Sequence, residues 1–338
     1  MRVHGLPRCA GRPCYIAGQG NVMPEEPTVA RESCLVCSGG AFRTLATPGQ
    51  WIGQDTFGDL VGRLGLVRCR GCGVVFVNPR PSDERLGAFY AGDNYSCHET
   101  ASSSSSGAKA EYLLERIATR MPTTARRTLL DFGAGGGGFL LHARAGGWQV
   151  QGFEPGRKGL VTCRAVGLDV TDSIDSLPSG HFGLITLHHV FEHLTDPIRT
   201  LRELRRMLAP EGILFIEVPN SRSMRATLAL PAVSRYLNAD ERYRAFPIHL
   251  VYYCEETLRR LLRRADWRVD YAFTVGLGLD EYFRGRTSAT KRTVERPRSV
   301  KSRRRLKHLI REAFLGMGWG ENLAVIARPG GDRYRTAP

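Results

Sequence analysis

The chain has 338 residues, 42% of them apolar, which suits one large domain plus a small one and excludes a disordered or fibrous chain. No apolar run approaches the roughly 20 residues a membrane span requires, and the basic N-terminus MRVHGLPRCAGRPCYIAG has no apolar core of a secretory signal. A net charge of +15, carried mainly by arginine, points to an anionic partner: nucleic acid, a phosphorylated substrate or a membrane surface.

In chain order, residues 1–30 read as a disordered tail, with Met23 an alternative start to Met1. The first ordered unit spans 31–81. CLVCSGG and CRGCGVVFVNPR place two C-x-x-C pairs, Cys34–Cys37 and Cys69–Cys72, in tight turns flanked by short strands. Four thiolates so arranged can close a tetrahedral zinc site with no open position, so the expected metal is a structural Zn²⁺. The 31 residues between the pairs demand an inserted hairpin. Nine cysteines, an odd count, suit a reducing cytosol better than a disulfide framework. Cys9, Cys14, Cys97, Cys163 and Cys254 lack comparable partners and default to ordinary packing or exposure. Asn78-Pro79-Arg80-Pro81 reads as the turn that ends this small module.

A helical connector (82–125) follows, with a helix-like patch at Ser82–Tyr90. SCHETASSSSSGAKA (96–110) reads as a linker or mobile loop, and Glu111–Met121 as an amphipathic helix with Leu113, Leu114 and Ile117 on one side. From Thr128 onward strands alternate with helices: strands at 128–132, 148–153, about 168–171, 183–187 and 212–218, helices at 138–145, 156–166 and 196–208. The last helix has an N-cap, Asp196, a first-turn proline, Pro197, and a stripe of Ile198, Leu201, Leu204 and Leu208. Such alternation predicts an α/β fold with a parallel sheet covered by helices on both faces. A helix at 255–265, a strand near 267–274 and a last strand at 322–328 complete the pattern. Between the last two lies a basic segment (285–312) whose densest run is KRTVERPRSVKSRRRLKHLIR (291–311).

The stretch LLDFGAGGGGFL holds five glycines between Gly133 and Gly138, directly after a strand and before a helix. A glycine loop at a helix start lets a ligand approach the backbone and offers it unpaired N–H groups. Gly133, Gly135 and Gly138 fit G-x-G-x-x-G, which alone would suit a dinucleotide. Asp131, two residues earlier, would repel a pyrophosphate and attract an ammonium group. Glu154, ending the next strand, lies at the distance where an acid takes ribose hydroxyls. A ligand with an ammonium, a sulfonium and a ribose but no phosphate satisfies both acids, and S-adenosylmethionine is that ligand.

From Arg126 to Asn220 the sequence resembles class I S-adenosylmethionine-dependent methyltransferases. LLDFGAGGGGFL is similar to that family's first motif, GFEPG to its ribose-binding acid, and FGLITLHHVFEHLTDPIRTLRELRRMLAPEGILFIEVPN to its later motifs. Two departures are Gly183, where an acid is common, and Ala209-Pro210-Glu211-Gly212 in place of the usual turn. The resemblance implies a Rossmann-like seven-stranded methyltransferase sheet carrying a small zinc-ribbon-like module. It also implies a cofactor site drawn from Asp131, Gly133, Gly135, Gly137, Glu154, Asp172, His188 and His189. Glu192 and His193 are expected to hydrogen-bond around the following helix start.

A zinc-knuckle module joined to such a core resembles bacterial methyltransferases of polysaccharide and deoxysugar gene clusters. In their sugar C-methylating members a Glu-His pair and a tyrosine near the knuckle serve the chemistry. FPIHLVYYCEETL supplies His249 but has Ile248 where the glutamate would stand, and Tyr90 or Tyr95 matches the tyrosine. Without the acid, O-methylation of a small sugar-linked acceptor, nucleotide-linked or lipid-linked, is favoured over C-methylation. His249 is the expected base with Tyr95 beside it, and 221–254 the expected acceptor cap within a catalytic domain of 126–284 and 313–330. Two rival readings are an RNA methyltransferase and a non-catalytic scaffold. Against the first, no aromatic residue lies between 291 and 311 on which bases could stack. Against the second stand the retained glycines and acids. The expected setting is the cytosol, with weak contact to an anionic inner membrane face.

Overall fold

The computed structural model describes residues 26–47, 57–91, 104–223, 226, 245–276 and 315–331. Tyr95, the basic segment at 285–312 and most of the expected cap at 221–254 lie outside them.

Ordered structure begins earlier than the expected tail boundary. β1 (Thr28–Val29) is already a strand. β2 (Phe42–Leu45), β3 (Leu66–Cys69) and β4 (Val75–Val77) form an antiparallel meander with Phe42 opposite Cys69 and Leu66 opposite Val77. β5 (Arg80–Pro81) then returns to pair with β1. The Asn78 side chain locks that return: it accepts from the Arg31 N–H at 2.7 Å and donates to the Arg31 carbonyl at 3.0 Å.

α1 (Asp83–Ala91) follows, then α2 (Ser104–Ala118). The second helix starts inside the serine-rich segment expected to be a linker or loop. Tertiary packing is the reason, since most helical stability comes from a buried face rather than propensity. Ala110, Leu113 and Ile117 form that face, and Gly107 is pressed so close to His142 that a Cβ would lie 2.8 Å from its ring.

The large domain then runs β6 (Thr128–Phe132), α3 (Gly138–Ala145), β7 (Gln149–Phe153), α4 (Arg157–Ala165), β8 (Val170–Thr171) and β9 (Phe182–His188). A 3-10 turn at Phe191–His193 leads to α5 (Pro197–Met207) and β10 (Leu208–Pro219). β11 (Val251–Tyr252), α6 (Glu255–Arg264), β12 (Trp267–Val275) and β13 (Asn322–Pro329) complete it. Asp196 caps α5 as its sequence suggests, accepting from the Arg199 N–H at 3.0 Å. Seven strands form one sheet in the order β12-β13-β10-β9-β6-β7-β8, parallel from β10 to β8 and antiparallel on both sides of β13. This is the α/β methyltransferase fold.

β11 does not join that sheet. It pairs antiparallel with β4, Val251 opposite Phe76, and gives the small N-terminal sheet its fourth strand. The expected separate module is therefore built from two distant parts of the chain. Its core is shared as well: Val36, Leu66 and Phe76 belong to one apolar cluster with Phe191, Tyr253, Leu258 and Trp267.

Gly183 explains its own departure from the family pattern. A Cβ there would lie 1.9 Å from the Arg126 carbonyl oxygen, so the start of β9 tolerates no side chain against that backbone. Gly183→Ala should therefore lower the free energy of denaturant unfolding by at least about 2 kcal/mol, the scale of overpacking that must move backbone. Gly58→Ala, whose Cβ meets nothing within 4 Å, should stay within about 0.5 kcal/mol of the parent.

Candidate active site

β6 and β9 are sheet neighbours, yet the chain leaves β6 toward β7 and returns to β9 only afterwards. The carboxyl ends of these strands are the topological switch point, where open α/β sheets leave a crevice for ligands. The glycine loop lies there. Gly133 is left-handed (φ 89°), and a Cβ on it would strike Val190 at 2.4 Å. Gly135, also left-handed, faces open space instead. Gly137 caps the N-terminus of α3.

Two acids hold this loop. The Glu154 carboxylate accepts the Gly135 N–H through Oε2 and the Gly156 N–H through Oε1, each at 2.7 Å. Burial, helped by the charge of Asp131, pushes the Glu154 carboxyl up to about 7 despite those two bonds. Asp131 is buried on the adjacent strand and accepts the Thr186 hydroxyl at 2.8 Å. Asp172 is exposed one residue past β8, beside Thr171, whose carbonyl accepts the Glu154 N–H at 2.9 Å. The structure thus brings Asp131, the glycines and Glu154 together and sets Asp172 on the rim of the adjoining strand.

His188 and His189 end β9 over a third acid. His188 lies against the Phe139 ring, 4.2 Å between centroids, with Nδ1 3.2 Å from Glu217 Oε2. Glu217, fully buried in β10, also receives Lys109 Nζ and Asn322 Nδ2, both at 2.9 Å. Burial alone would raise its pKa, but His188, His189 and Lys109 hold it well below the usual carboxylate range. His189 is left-handed (φ 53°), a conformation uncommon outside glycine. That turn sets its ring between Glu217 Oε1 (3.7 Å) and Glu192 Oε1 (3.4 Å). Burial opposes protonation of His189, and the two carboxylates overcome it. Sequence reading passed over Glu217. The signal for it was an acid inside the apolar run ILFIEVP.

Glu192 and His193 depart from the helix-start role expected of them, which Asp196 performs. The Glu192 side chain is 1% exposed, and neither carboxylate oxygen accepts a hydrogen bond among the described residues. Its Oε1 faces His193 Nε2 and His249 Nε2, each 3.9 Å away. The far nitrogen of His193 is engaged: Nδ1 lies 3.0 Å from the Ile248 carbonyl and 2.8 Å from the Tyr90 hydroxyl. Burial would raise the Glu192 carboxyl, but His189, His193 and His249 together hold it below its ordinary value. Burial outweighs Glu192 at His193 and keeps that imidazole below its own. Ile248 cannot supply an acid, and Glu192 does so from another element. Of the two tyrosine candidates, Tyr90 reaches this cluster, and Tyr95 lies outside the described residues.

The four knuckle cysteines converge beside the small sheet, Cys69 at the end of β3 and Cys72 in the turn before β4. Sγ atoms of Cys34 and Cys72 are 3.7 Å apart, those of Cys37 and Cys69 3.5 Å apart, and all four lie within 4.8 Å of one another. Four sulfurs about 2.3 Å from a common ion would stand roughly 3.8 Å apart, so the spacing fits a tetrahedral metal. In both knuckles the residue after the second cysteine, Ser38 or Gly73, is left-handed and donates its N–H to the carbonyl of the first cysteine.

A protein-family model described as "Methyltransferase domain" matches residues 107–272. The ubiquinone biosynthesis O-methyltransferase of Pseudomonas paraeruginosa is 31% identical over 108 residues, covering 28% of this chain and 46% of that protein. The protein of the same name from Thiobacillus denitrificans is 28% identical over 128 residues, covering 35% and 54%. The chain thus spans about half the length of these relatives. A SAM-dependent methyltransferase structure from Archaeoglobus fulgidus aligns at 20% identity with a TM-score of 0.41, over 64% of this chain and 93% of that one. The span from α2 into β12, residues 107–272, is thus similar to methyltransferase domains.

Proposed function

We propose that the protein transfers a methyl group from S-adenosylmethionine to a hydroxyl of a small polar acceptor, a nucleotide-linked or lipid-linked sugar. The observation that carries this reading is the placement of Glu154 and Asp131 on neighbouring strands around the glycine loop. When bound, the cofactor supplies an electrophilic methyl group on a sulfonium. Glu154 is already fixed by two backbone N–H groups and retains lone pairs for the ribose hydroxyls. Asp131, steadied by Thr186, takes the ammonium, and open space at Gly135 admits the ligand to the backbone. The acceptor hydroxyl loses its proton at the Glu192–His193–His249 cluster, where His249 is the most exposed member. Transfer joins the acceptor oxygen to the methyl carbon as the carbon–sulfur bond breaks, and proximity and alignment supply most of the acceleration. The names of the matched relatives favour oxygen over carbon as the methylated atom. The four knuckle thiolates would hold a structural Zn²⁺ that stiffens the small sheet, in a cytosolic setting where thiols stay reduced.

Calorimetry should show binding of S-adenosylhomocysteine, weakened by more than about 1.5 kcal/mol in Glu154→Ala. Preferential binding of NAD would overturn the reading. Ribose hydroxyls donate to the ionised carboxylate, so binding lowers the Glu154 pKa from about 7. Affinity should then fall about tenfold from pH 8 to pH 6 and level off above pH 8. Tighter binding in acid would contradict that role.

His249→Ala should cut turnover roughly 10²–10⁴-fold with cofactor affinity unchanged. Equal turnover would remove His249 from the chemistry. Metal analysis of reduced, freshly purified protein should find zinc at close to one ion per chain, lost in Cys69→Ser, and absence of zinc would refute the knuckle assignment.

A further inference from the structure

We propose that Glu192, His193 and His249 bind a divalent first-row transition-metal cation, and that this cation receives the acceptor oxygen. The inference deepens the methyl-transfer reading and rests on it only for what the cation does, not for its binding.

The three side chains come from two elements that meet only in the folded chain. Glu192 and His193 lie in the 3-10 turn after β9, and His249 precedes β11. One ligand atom from each lies within 4.8 Å of the others, with both Nε2 atoms 3.9 Å from Glu192 Oε1. Atoms 2.0–2.2 Å from a shared ion stand roughly 3.0–3.5 Å apart, so each Glu192–histidine separation would close by roughly 0.4–0.9 Å around an ion. Three further features distinguish this cluster from an ordinary buried ion pair.

The first is the carboxylate itself. A fully buried acid normally collects several N–H or O–H donors, yet among the described residues Glu192 has no well-formed hydrogen bond, and His189 Nδ1 stands 3.4 Å from its Oε1. A cation between that oxygen and the imidazoles of His193 and His249 would supply the close counter-charge that His189 gives only at longer range.

The second is the outer support of His193. Its Nδ1 lies 3.0 Å from the Ile248 carbonyl and 2.8 Å from the Tyr90 hydroxyl, and with Nδ1 as the N–H donor to that carbonyl the Nε2 lone pair faces Glu192. Metal-bound histidines are characteristically oriented in this way by a carbonyl or carboxylate on the other nitrogen.

The third is graded access. Side-chain exposure rises from 1% at Glu192 to 14% at His193 and 21% at His249. A cation held by three ligands on such a slope keeps open positions toward the solvent side. There an acceptor with a hydroxyl, or two adjacent hydroxyls, would coordinate and lose its proton to solvent more readily, with His249 then acting as a ligand to the cation rather than as the base. The place is right for that role: Val190, two residues before Glu192, packs directly on Gly133 of the glycine loop. A mixed nitrogen–oxygen set suits Mn²⁺, Fe²⁺, Co²⁺ or Zn²⁺ and is chemically distinct from the four-thiolate site.

The probes are Mn²⁺, followed by electron paramagnetic resonance, and Co²⁺, followed by visible absorption, each added to the full chain as purified. The expected result is saturable binding of one ion per chain, with Co²⁺ bands free of thiolate charge transfer. Affinity should drop at least about tenfold in Glu192→Gln and in His249→Ala. Circular dichroism and S-adenosylhomocysteine binding should persist in His249→Ala. Wild-type protein that binds neither ion saturably at millimolar concentration would overturn the proposal. Binding that survives both substitutions unchanged would do the same. Cation binding without any S-adenosylhomocysteine binding would uphold this site and refute the methyl-transfer reading instead.

Discussion

The backbone of Leu250 is held from two sides. Its N–H donates to the Glu192 carbonyl at 2.9 Å, and its carbonyl accepts the Val77 N–H at 2.9 Å. One residue thus couples the 3-10 turn after β9 to the small N-terminal sheet. The placement of His249 and Ile248 follows, since both precede this anchor. Ile248 can then orient His193 through its carbonyl, and His249 can face Glu192. The cysteine knuckles set the turns around β3 and β4, and β4 receives β11. The small sheet that carries the cysteines therefore also holds the register of the segment that brings His249 to Glu192.

Four buried acids line the carboxyl ends of the central strands, and each is compensated differently. Asp131 has a hydroxyl from the next strand, Glu154 two backbone N–H groups, and Glu217 a lysine, an asparagine and a histidine. Among the described residues, Glu192 is faced by three imidazoles, His189 at 3.4 Å and His193 and His249 at 3.9 Å. Buried charges without close donors are expensive, and they persist where a ligand or reaction makes use of them. His189 joins the last two acids. Its left-handed backbone is a local strain that ordinary turn chemistry does not require.

The glycine-loop half of the candidate site was legible in the sequence because its signals are local. A strand, Asp131, the glycine run and Glu154 fall between residues 128 and 154, and a left-handed or close-packed backbone position needs glycine whatever lies elsewhere. The strands from β6 to β10 were legible for the same reason, through apolar runs punctuated by Gly and by Asp196-Pro197. The acceptor half was less legible because its parts meet only through tertiary pairing. Ile248 looked like a lost acid because the sequence shows only the neighbour in the chain, while Glu192 arrives 57 positions earlier. The serine-rich run looked like a loop because composition does not reveal that α2 has a helix to pack against. Strand β11 was hidden as well: VY is too short to carry a period, and its partner lies in the N-terminal unit.

The account places one crevice at the carboxyl ends of β6 and β9, with cofactor on the glycine side and acceptor chemistry on the Glu192 side. A crystal structure of the full chain with S-adenosylhomocysteine tests this most directly. The account predicts ribose hydroxyls on Glu154, the amino group beside Asp131, and the thioether sulfur directed toward Glu192, His193 and His249. A ligand bound elsewhere, or bound in the crevice with its sulfur directed away from that cluster, would contradict it.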